Sequence, residues 1–189
     1  MLHQPIGVAG FYEIRTFKTM RSGMITAGIA LAAATIAPVT ATAWAQNAAP
    51  VTYRQEISNN MRACAPGGGP AVRVTVAGIK SSEGKIRVQS YRGVKSDWLE
   101  RGKWIHRIEA PAREGNMVFC MPVPRAGTYG IAVRHDVNGN GSTDITSDGG
   151  AMSNNPSINI FNLGKPSYRK TAFEIGEGVT SIRINMRYM

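Results

Sequence analysis

The chain has 189 residues, 43% of them hydrophobic and 18% charged, so its length suits one domain and its apolar share suits a folded core. Lys and Arg outnumber Asp and Glu by 22 to 12, which gives a formal net charge of +10. The two cysteines are too few for a four-cysteine zinc site or a disulfide-rich miniprotein, and the 21 glycines and 10 prolines favour turns over long helices.

The first segment, residues 1–45, has the features of a secretory signal peptide. An uncharged run at 24–43, rich in Ala, Ile and Thr, follows the basic residues Lys18 and Arg21. The run is followed by Ala-Trp-Ala, ending at Ala45, and these small residues fit a cleavage site. We expect cleavage after Ala45, a periplasmic or secreted mature protein, and no transmembrane segment in that mature protein.

The part of the chain before the uncharged run is long for the basic region of a signal peptide. Methionines at positions 1, 20 and 24 are the candidate starts of translation. We expect translation to begin at Met20 or Met24, which would make residues 1–19 a spurious extension. A start at Met1 is the alternative.

Residues 46–69 are polar and end in three glycines, a composition typical of a flexible N-terminal arm. The β-sandwich domain itself is expected over residues 70–189. Cys64 lies in the arm and Cys120 in the domain. Because an exported chain folds in an oxidising compartment, we predict that these two cysteines form a disulfide. Two separate buried thiols are the alternative.

From residue 70 onwards apolar and polar residues alternate with a period of two, which is typical of half-buried β-strands. The alternating runs lie at 72–76, 86–89, 117–121, 129–134 and 182–188. Turn sequences rich in Gly, Pro and charged residues separate the runs. The sequence therefore predicts an all-β fold, an antiparallel β-sandwich of six to eight strands.

Several stretches of this domain resemble a known family. They read VTVAGIKSSEGKIRVQSY at 74–91, PRAGTYGIAVRHDVNGNGSTD at 124–144, SNNP at 153–156 and GKPSYRKTAFEI at 164–175. The domain thereby resembles the secreted bacterial family known as domain of unknown function 2141, over nearly all of residues 70–189. The resemblance implies a sandwich of the transthyretin or carboxypeptidase-regulatory type. Since the family has no assigned role, it implies no activity.

The loop after the strand at 129–134 has a distinctive polar pattern. Oxygen-bearing side chains recur in it, at Asp136, Asn138, Asn140, Asp144 and Asp148. The first four match positions 1, 3, 5 and 9 of an EF-hand calcium loop, and Gly141 matches the glycine at position 6. Position 12 is Ser147 instead of a bidentate Glu, so Asp148 is the candidate substitute. The pattern predicts a calcium site with a dissociation constant of roughly 10⁻⁴–10⁻³ M, as in extracellular modules.

A second interpretation of the loop at 136–148 needs no ion. Asn, Asp and Gly also form turns in which the side chains bond to nearby backbone groups. An empty, self-bonded turn is therefore the alternative to a calcium site. Calcium is the one cofactor that the sequence suggests.

The adjacent residues His135 and Asp136 offer an enzymatic interpretation. A His positioned by a carboxylate can act as a general base, so the alternative to a binding module is a hydrolytic or carbohydrate-processing enzyme that uses this pair. His135 also continues the inward phase of Ile131 and Val133, which favours a buried ring bonded to a loop carbonyl. Because the sequence has no nucleophile elbow, metalloprotease helix or phosphate loop, we expect a protein that is not an enzyme.

Five arginines fall on the outward phase of the predicted strands, at Arg73, Arg87, Arg134, Arg183 and Arg187. If those strands are neighbours, one face of a sheet is basic and attracts an anionic polymer or another envelope component. A solvated, solubilising face is the alternative. Nucleic acid is not an expected partner, because an exported chain without interleaved aromatic residues lacks that signature.

Large apolar residues stand on both sides of Gly102, with Trp98 before it and Trp104 after it. They are expected either to line a ligand cleft or to close an open end of the sandwich as buried core. The sequence as a whole predicts an exported β-sandwich that serves as a binding or structural module in the cell envelope.

Overall fold

The computed structural model describes residues 50–144, 146–158 and 164–188. The predicted signal peptide, its cleavage site after Ala45, the candidate starts and residues 46–49 of the predicted arm lie outside the described residues. The described residues belong to one unit, Asn47–Met189.

The described ranges form ten strands and two short helical segments. The strands are β1 (Gln55–Glu56), β2 (Ala71–Ile79), β3 (Lys85–Arg92), β4 (His106–Pro111), β5 (Gly115–Pro122), β6 (Gly127–Asp136), β7 (Gly149–Met152), β8 (Phe173–Ile175), β9 (Val179–Asn185) and β10 (Arg187–Tyr188). The helical segments are a 3₁₀ turn, Met61–Cys64, and a helix, α1, Tyr168–Thr171. Four of the five alternating runs lie within one strand each, and the run at 182–188 extends from β9 across Met186 into β10. The period of two therefore identified β2, β3, β5, β6 and β9. The described chain has ten strands rather than six to eight, because strands of two to four residues are too short to show a period.

The described strands form two sheets. In sheet A the order is β1-β4-β3-β6-β7-β10, and β8 pairs with the first part of β6; in sheet B the order is β5-β2-β9. Most neighbours are antiparallel, but β1 runs parallel to β4 and β9 runs parallel to β2. The fold is therefore a mixed sandwich rather than the purely antiparallel one that the sequence predicted.

The apolar sides of the two sheets face each other and form the main core. Fully buried side chains come from sheet B (Val72, Val74, Phe119, Ile184) and from sheet A (Ile86, Val88, Ile108, Ile131). Burial of such side chains typically contributes about 1.5–3 kcal/mol each to folding. Because one continuous cluster contains residues of both sheets, the two-layer all-β sandwich predicted from the sequence is confirmed.

A second apolar cluster lies on the opposite face of sheet A, where Tyr91 and Met152 pack with Trp98 and Trp104. Trp98 is 7% exposed, and its Nε1 donates to the Pro166 carbonyl at 2.8 Å. Gly130 makes room for this ring, since a Cβ at that position would lie 2.5 Å from Trp98 Cζ3. The tryptophans on either side of Gly102 are therefore buried, as one of the two expectations had it, but they lie on the outer face of sheet A and the expected position at an open end is not shown.

Residues 50–64 lie against the sheets rather than apart from them. Arg54 N donates to Trp104 O at 2.8 Å, and Ile57 N donates to Arg107 O at 2.9 Å, which adds β1 to the edge of β4. Further along, the predicted disulfide between Cys64 and Cys120 ties the 3₁₀ turn to β5. The prediction of a flexible arm before residue 70 did not anticipate these contacts, because a two-residue strand leaves no periodic pattern.

Candidate functional site

The candidate site is the loop that joins β6 to β7. Gly139 and Gly141 have φ angles of +70° and +80°, a left-handed conformation that favours glycine. At these two glycines the chain changes direction, so the loop folds back on itself. At the end of β6, Gly84 of the neighbouring turn, with φ of +65°, passes so close that a Cβ would collide with the Asp136 carbonyl oxygen. This close approach helps to bury Asp136.

Three of the predicted ligand residues meet at the tip of the loop. The Nδ2 groups of Asn138 and Asn140 each donate to Asp144 Oδ2 at 2.8 Å. The carboxamide oxygens accept backbone N–H groups, Asn138 Oδ1 from Asn140 at 3.1 Å and Asn140 Oδ1 from Ser142 at 2.7 Å. The two amide donors lower the pKa of Asp144 below its ordinary value, so this carboxylate is negatively charged at neutral pH.

Asp148 holds the base of the loop together. It is 6% exposed, its Oδ1 accepts from Val137 N at 3.1 Å, and its Oδ2 accepts from Asp144 N at 3.0 Å. Both carboxylate oxygens therefore bond to backbone on either side of the loop. Asp148 positions Asp144 rather than joining it at the tip.

Asp136 is fully buried at the start of the loop. Its Oδ2 accepts from Gly141 N at 2.9 Å and lies 3.4 Å from Arg134 Nη2. Its Oδ1 is buried and has no hydrogen-bond partner among the described residues. An unpaired buried polar atom costs about 1–3 kcal/mol, and more when it is charged, so this oxygen is suited to a cation.

Arg134 supports the loop from below, a role that the sequence did not indicate. Its Nη1 donates to Thr143 Oγ1 and its Nη2 to Gly141 O, both at 2.9 Å. Burial, and next the charge of Arg87, lowers the pKa of Arg134. The available signal was its position two residues before Asp136, because residues i and i+2 of a strand share a face.

The five predicted ligand residues are brought into one loop but not into one cage. Asn138, Asn140 and Asp144 converge, whereas Asp136 and Asp148 each bond to backbone N–H groups. Among the described residues, no three His, Cys, Asp or Glu side chains are grouped to hold a metal ion. These hydrogen bonds are those of a self-bonded turn, and calcium binding stays a prediction.

The structure does not bring His135 and Asp136 together as a catalytic pair. Successive residues of a strand point to opposite faces, and His135 is fully buried on the core side. Its Nδ1 lies 2.8 Å from Tyr188 Oη and its Nε2 lies 2.7 Å from the Glu83 carbonyl oxygen. The expected bond between a buried ring and a loop carbonyl is confirmed, and both ring nitrogens are engaged.

The outward-facing arginines divide between the two sheets. In sheet A, Arg87 stands opposite Arg134, and Arg134 and Arg187 are both in register with Gly150. These three form one row, which we call the arginine row. Arg73 and Arg183 lie in sheet B, so the five residues do not form a single basic face.

A carboxylate partly neutralises the arginine row. Glu109 is in register with Arg87, whose Nε lies 2.5 Å from Glu109 Oε1. Lys85 Nζ lies 3.1 Å from the other carboxylate oxygen. Arg187, at one end of the row, therefore has no ion-pair partner among the described residues.

A buried carboxylate elsewhere was missed by the sequence analysis. Asp97 is 1% exposed; its Oδ2 accepts from Tyr53 Oη at 2.5 Å and from Arg92 Nε at 2.6 Å. Its Oδ1 accepts from Arg92 Nη2 at 3.0 Å and from Ser96 Oγ at 2.9 Å. Tyr53 is 44 positions away in sequence, so no local pattern connects the group. Each carboxylate oxygen has its donors, which indicates a structural rather than a reactive role.

Comparison with known proteins gives a family but no function. No curated protein and no solved structure matches the sequence significantly. None of the helices in the described part of the chain is long and apolar enough to pass through a membrane. Residues 74–183 match the family described as uncharacterized protein conserved in bacteria (DUF2141). This match covers the sandwich from β2 into β9, including the loop with Asp136, so the chain belongs to that family.

Proposed function

We propose that the protein is an exported binding or structural module of the cell envelope, and that its β6–β7 loop binds one calcium ion. The signal-peptide features of residues 1–45 support export, and the Cys64–Cys120 disulfide suits an oxidising compartment. The partner we propose is an anionic polymer, or another envelope component, that contacts the arginine row.

The buried, unpartnered Oδ1 of Asp136 is the observation that carries the calcium proposal. The other oxygen of this carboxylate, Oδ2, accepts from Gly141 N. The carboxylate is therefore held against the backbone of the loop. Calcium prefers oxygen ligands and accepts carboxylates and amide carbonyls alike. A bound ion would satisfy Oδ1 where no donor of the described residues does.

The tip of the loop would supply the remaining protein ligands. A carboxamide oxygen has two lone pairs, so Asn138 Oδ1 and Asn140 Oδ1 can each accept a backbone N–H and face an ion. The Nδ2 groups now directed at Asp144 would move away from it, so that its carboxylate could also face the ion. Asp148 would keep the base of the loop in place. Because these residues provide fewer than six to eight oxygens, water completes the shell and the affinity is modest.

A calcium titration followed by thermal unfolding tests this proposal. With a dissociation constant of about 1 mM, 10 mM calcium should raise the free energy of unfolding by about 1.4 kcal/mol. Asp144→Asn should lose most of this gain, because one of the loop carboxylates becomes neutral. Asp136→Asn should lose it too while keeping one oxygen for Gly141 N.

The matched control is Glu114→Gln, which removes the same charge from an exposed turn outside the loop and should retain the full calcium response. Magnesium at the same concentration controls for ionic strength. An unchanged melting temperature of the wild type at 10 mM calcium would contradict the proposal. So would an equal response in Asp144→Asn and the wild type.

The enzymatic alternative gains no support from the site. His135 has both ring nitrogens engaged and lies on the opposite face of β6 from Asp136. A general base needs a nitrogen within reach of a substrate proton, and this ring is fully buried. We therefore propose a binding role for the loop.

A further inference from the structure

Among the described residues, sheet B has two edge strands, β5 and β9. An edge strand presents backbone N–H and C=O groups that can pair with a strand of another molecule. On β5 the outward groups include Val118 O and Cys120 N, and on β9 they include Arg183 O and Asn185 N. A three-stranded sheet with both edges available would be a surface for self-association.

A single asparagine side chain occupies the outward groups of β5. Asn59 Nδ2 donates to Val118 O at 3.0 Å, and Cys120 N donates to Asn59 Oδ1 at 2.9 Å. The two backbone groups belong to the residues on either side of Phe119. This is the pair that one residue of a parallel neighbouring strand would bind. The carboxamide therefore takes the place of a peptide group.

The same arrangement recurs on the other edge. Asn155 Nδ2 donates to Arg183 O at 2.9 Å, and Asn185 N donates to Asn155 Oδ1 at 2.7 Å. Here the two backbone groups flank Ile184. Asn155 has φ of +49°, a left-handed conformation that a side chain adopts at a cost and that Asn tolerates better than most residues. In both cases the amide orientation is fixed, since one partner is a donor and the other an acceptor.

We propose that Asn59 and Asn155 are edge plugs that keep sheet B of one molecule from pairing with sheet B of a second copy. Each plug is carried by a segment that starts at sheet A: residues 55–59 leave the edge of β4, and residues 152–155 leave β7. Val118, beside the first plug, is 40% exposed, and it would add apolar contact to a β5–β5 pairing. Each plug bonds to backbone groups of an edge strand through a side chain. A further strand would bond to the same groups but would have an unpaired edge of its own.

The test is the double variant Asn59→Ala/Asn155→Ala, examined by hydrogen exchange and analytical ultracentrifugation. The amides of Cys120 and Asn185 should exchange about tenfold faster than in the wild type, because each loses its acceptor. The variant should also form dimers and larger species as its concentration rises, under conditions where the wild type does not change its state of association.

The matched control is Asn60→Ala/Asn154→Ala. Asn60 accepts from Arg62 N and Asn154 donates to Ala172 O, so neither contacts an edge of sheet B. Should the double variant fail to fold, Asn59→Ala alone still has the Cys64–Cys120 disulfide to hold its segment on β5. Unchanged exchange at Cys120 and Asn185 in a folded variant overturns the proposal. It is equally overturned if the variant associates no more than the control does.

Discussion

Asp97 illustrates how a buried charge is stabilised in this protein. Burial by itself raises the pKa of this carboxyl, but hydrogen bonds from Arg92, Tyr53 and Ser96 outweigh it and lower the pKa from 3.8 to about 2. The pKa of Tyr53 is raised, most by burial and next by its hydrogen bond to this carboxylate. Through these bonds Asp97 connects residue 53 of the N-terminal segment to the end of β3.

The lowered pKa predicts how stability depends on acid. Because the carboxylate is more acidic in the folded state than in the unfolded state, its contribution is complete above about pH 4 and is lost as the pH falls towards 2. Asp97→Asn should reduce the free energy of unfolding by about 2–3 kcal/mol at pH 7. Urea titrations at pH 7, 4 and 2.5 should show that the difference in the free energy of unfolding between variant and wild type becomes smaller as the pH falls. A gap of constant size would show that the charge of Asp97 contributes nothing.

At the scale of elements, the segment 50–64 joins the two sheets. It begins as a parallel neighbour of β4 in sheet A and ends in the 3₁₀ turn that Cys64 attaches to β5 of sheet B. The cysteines are 56 positions apart, so the bond restricts a long loop of the unfolded chain. On the chain-entropy account this restriction contributes about 4 kcal/mol.

The element-scale prediction concerns this covalent connection. We expect protein purified from cells to begin at Gln46. Its intact mass should be lower than that of the dithiol form by the mass of two hydrogens. Cys64→Ala/Cys120→Ala should unfold at lower denaturant, with a loss of about 4 kcal/mol. A mass that includes the leader would contradict export, and a dithiol mass would contradict the bond. Asn60→Ala, in the residue before the 3₁₀ turn, is the control for a local change without loss of the disulfide.

The sequence predicted the elements in which side chains alternate regularly between two faces. It did not predict features without such a period, such as strand pairing. Val72, Val74 and Val76 gave β2 because side chains alternate between faces. The pairing of β2 with β9 in parallel could not be predicted, since two alternating runs look alike whichever way they run. Predicted export, together with a cysteine count of two, led to the prediction of the disulfide, whose geometry no pattern encodes.

The candidate site shows the same division. Asp136, Asn138 and Asn140 were identified because their spacing is local. Arg134 was placed on the outward face but not under the loop, because its contacts depend on how the loop folds back at Gly141. Asn59 escaped notice, since its partners on β5 are about 60 positions away and a lone asparagine is common in any polar segment.

At the scale of the whole molecule, the basic residues that produce the net charge of +10 are spread along the sequence. The arginine row brings part of this charge together, because Arg87 and Arg134 are held in direct register on adjacent strands. Like charges placed opposite each other repel, and an anionic partner would relieve that repulsion. Sheet A is therefore the side on which we place the proposed partner.

Binding to an anionic polysaccharide tests this placement. Arg87→Gln/Arg187→Gln should weaken binding by about three- to tenfold at low salt, and wild-type binding should fall as salt rises. Arg113→Gln/Arg183→Gln removes the same charge away from the row and should have a smaller effect. Equal losses in both variants would mean that net charge alone, rather than the row, is recognised. Arg134 is left unchanged, because it supports the loop.

The place of β2 between β5 and β9 has a consequence for the order in which the domain forms. A chain that emerges N-terminus first can pair β2 with β5 early, but the other side of β2 waits until residues 179–185 are free. Until then one flank of the central strand is open, and Ile184 is missing from the core. Truncation before residue 179 would remove β9 and leave β2 permanently without its parallel neighbour.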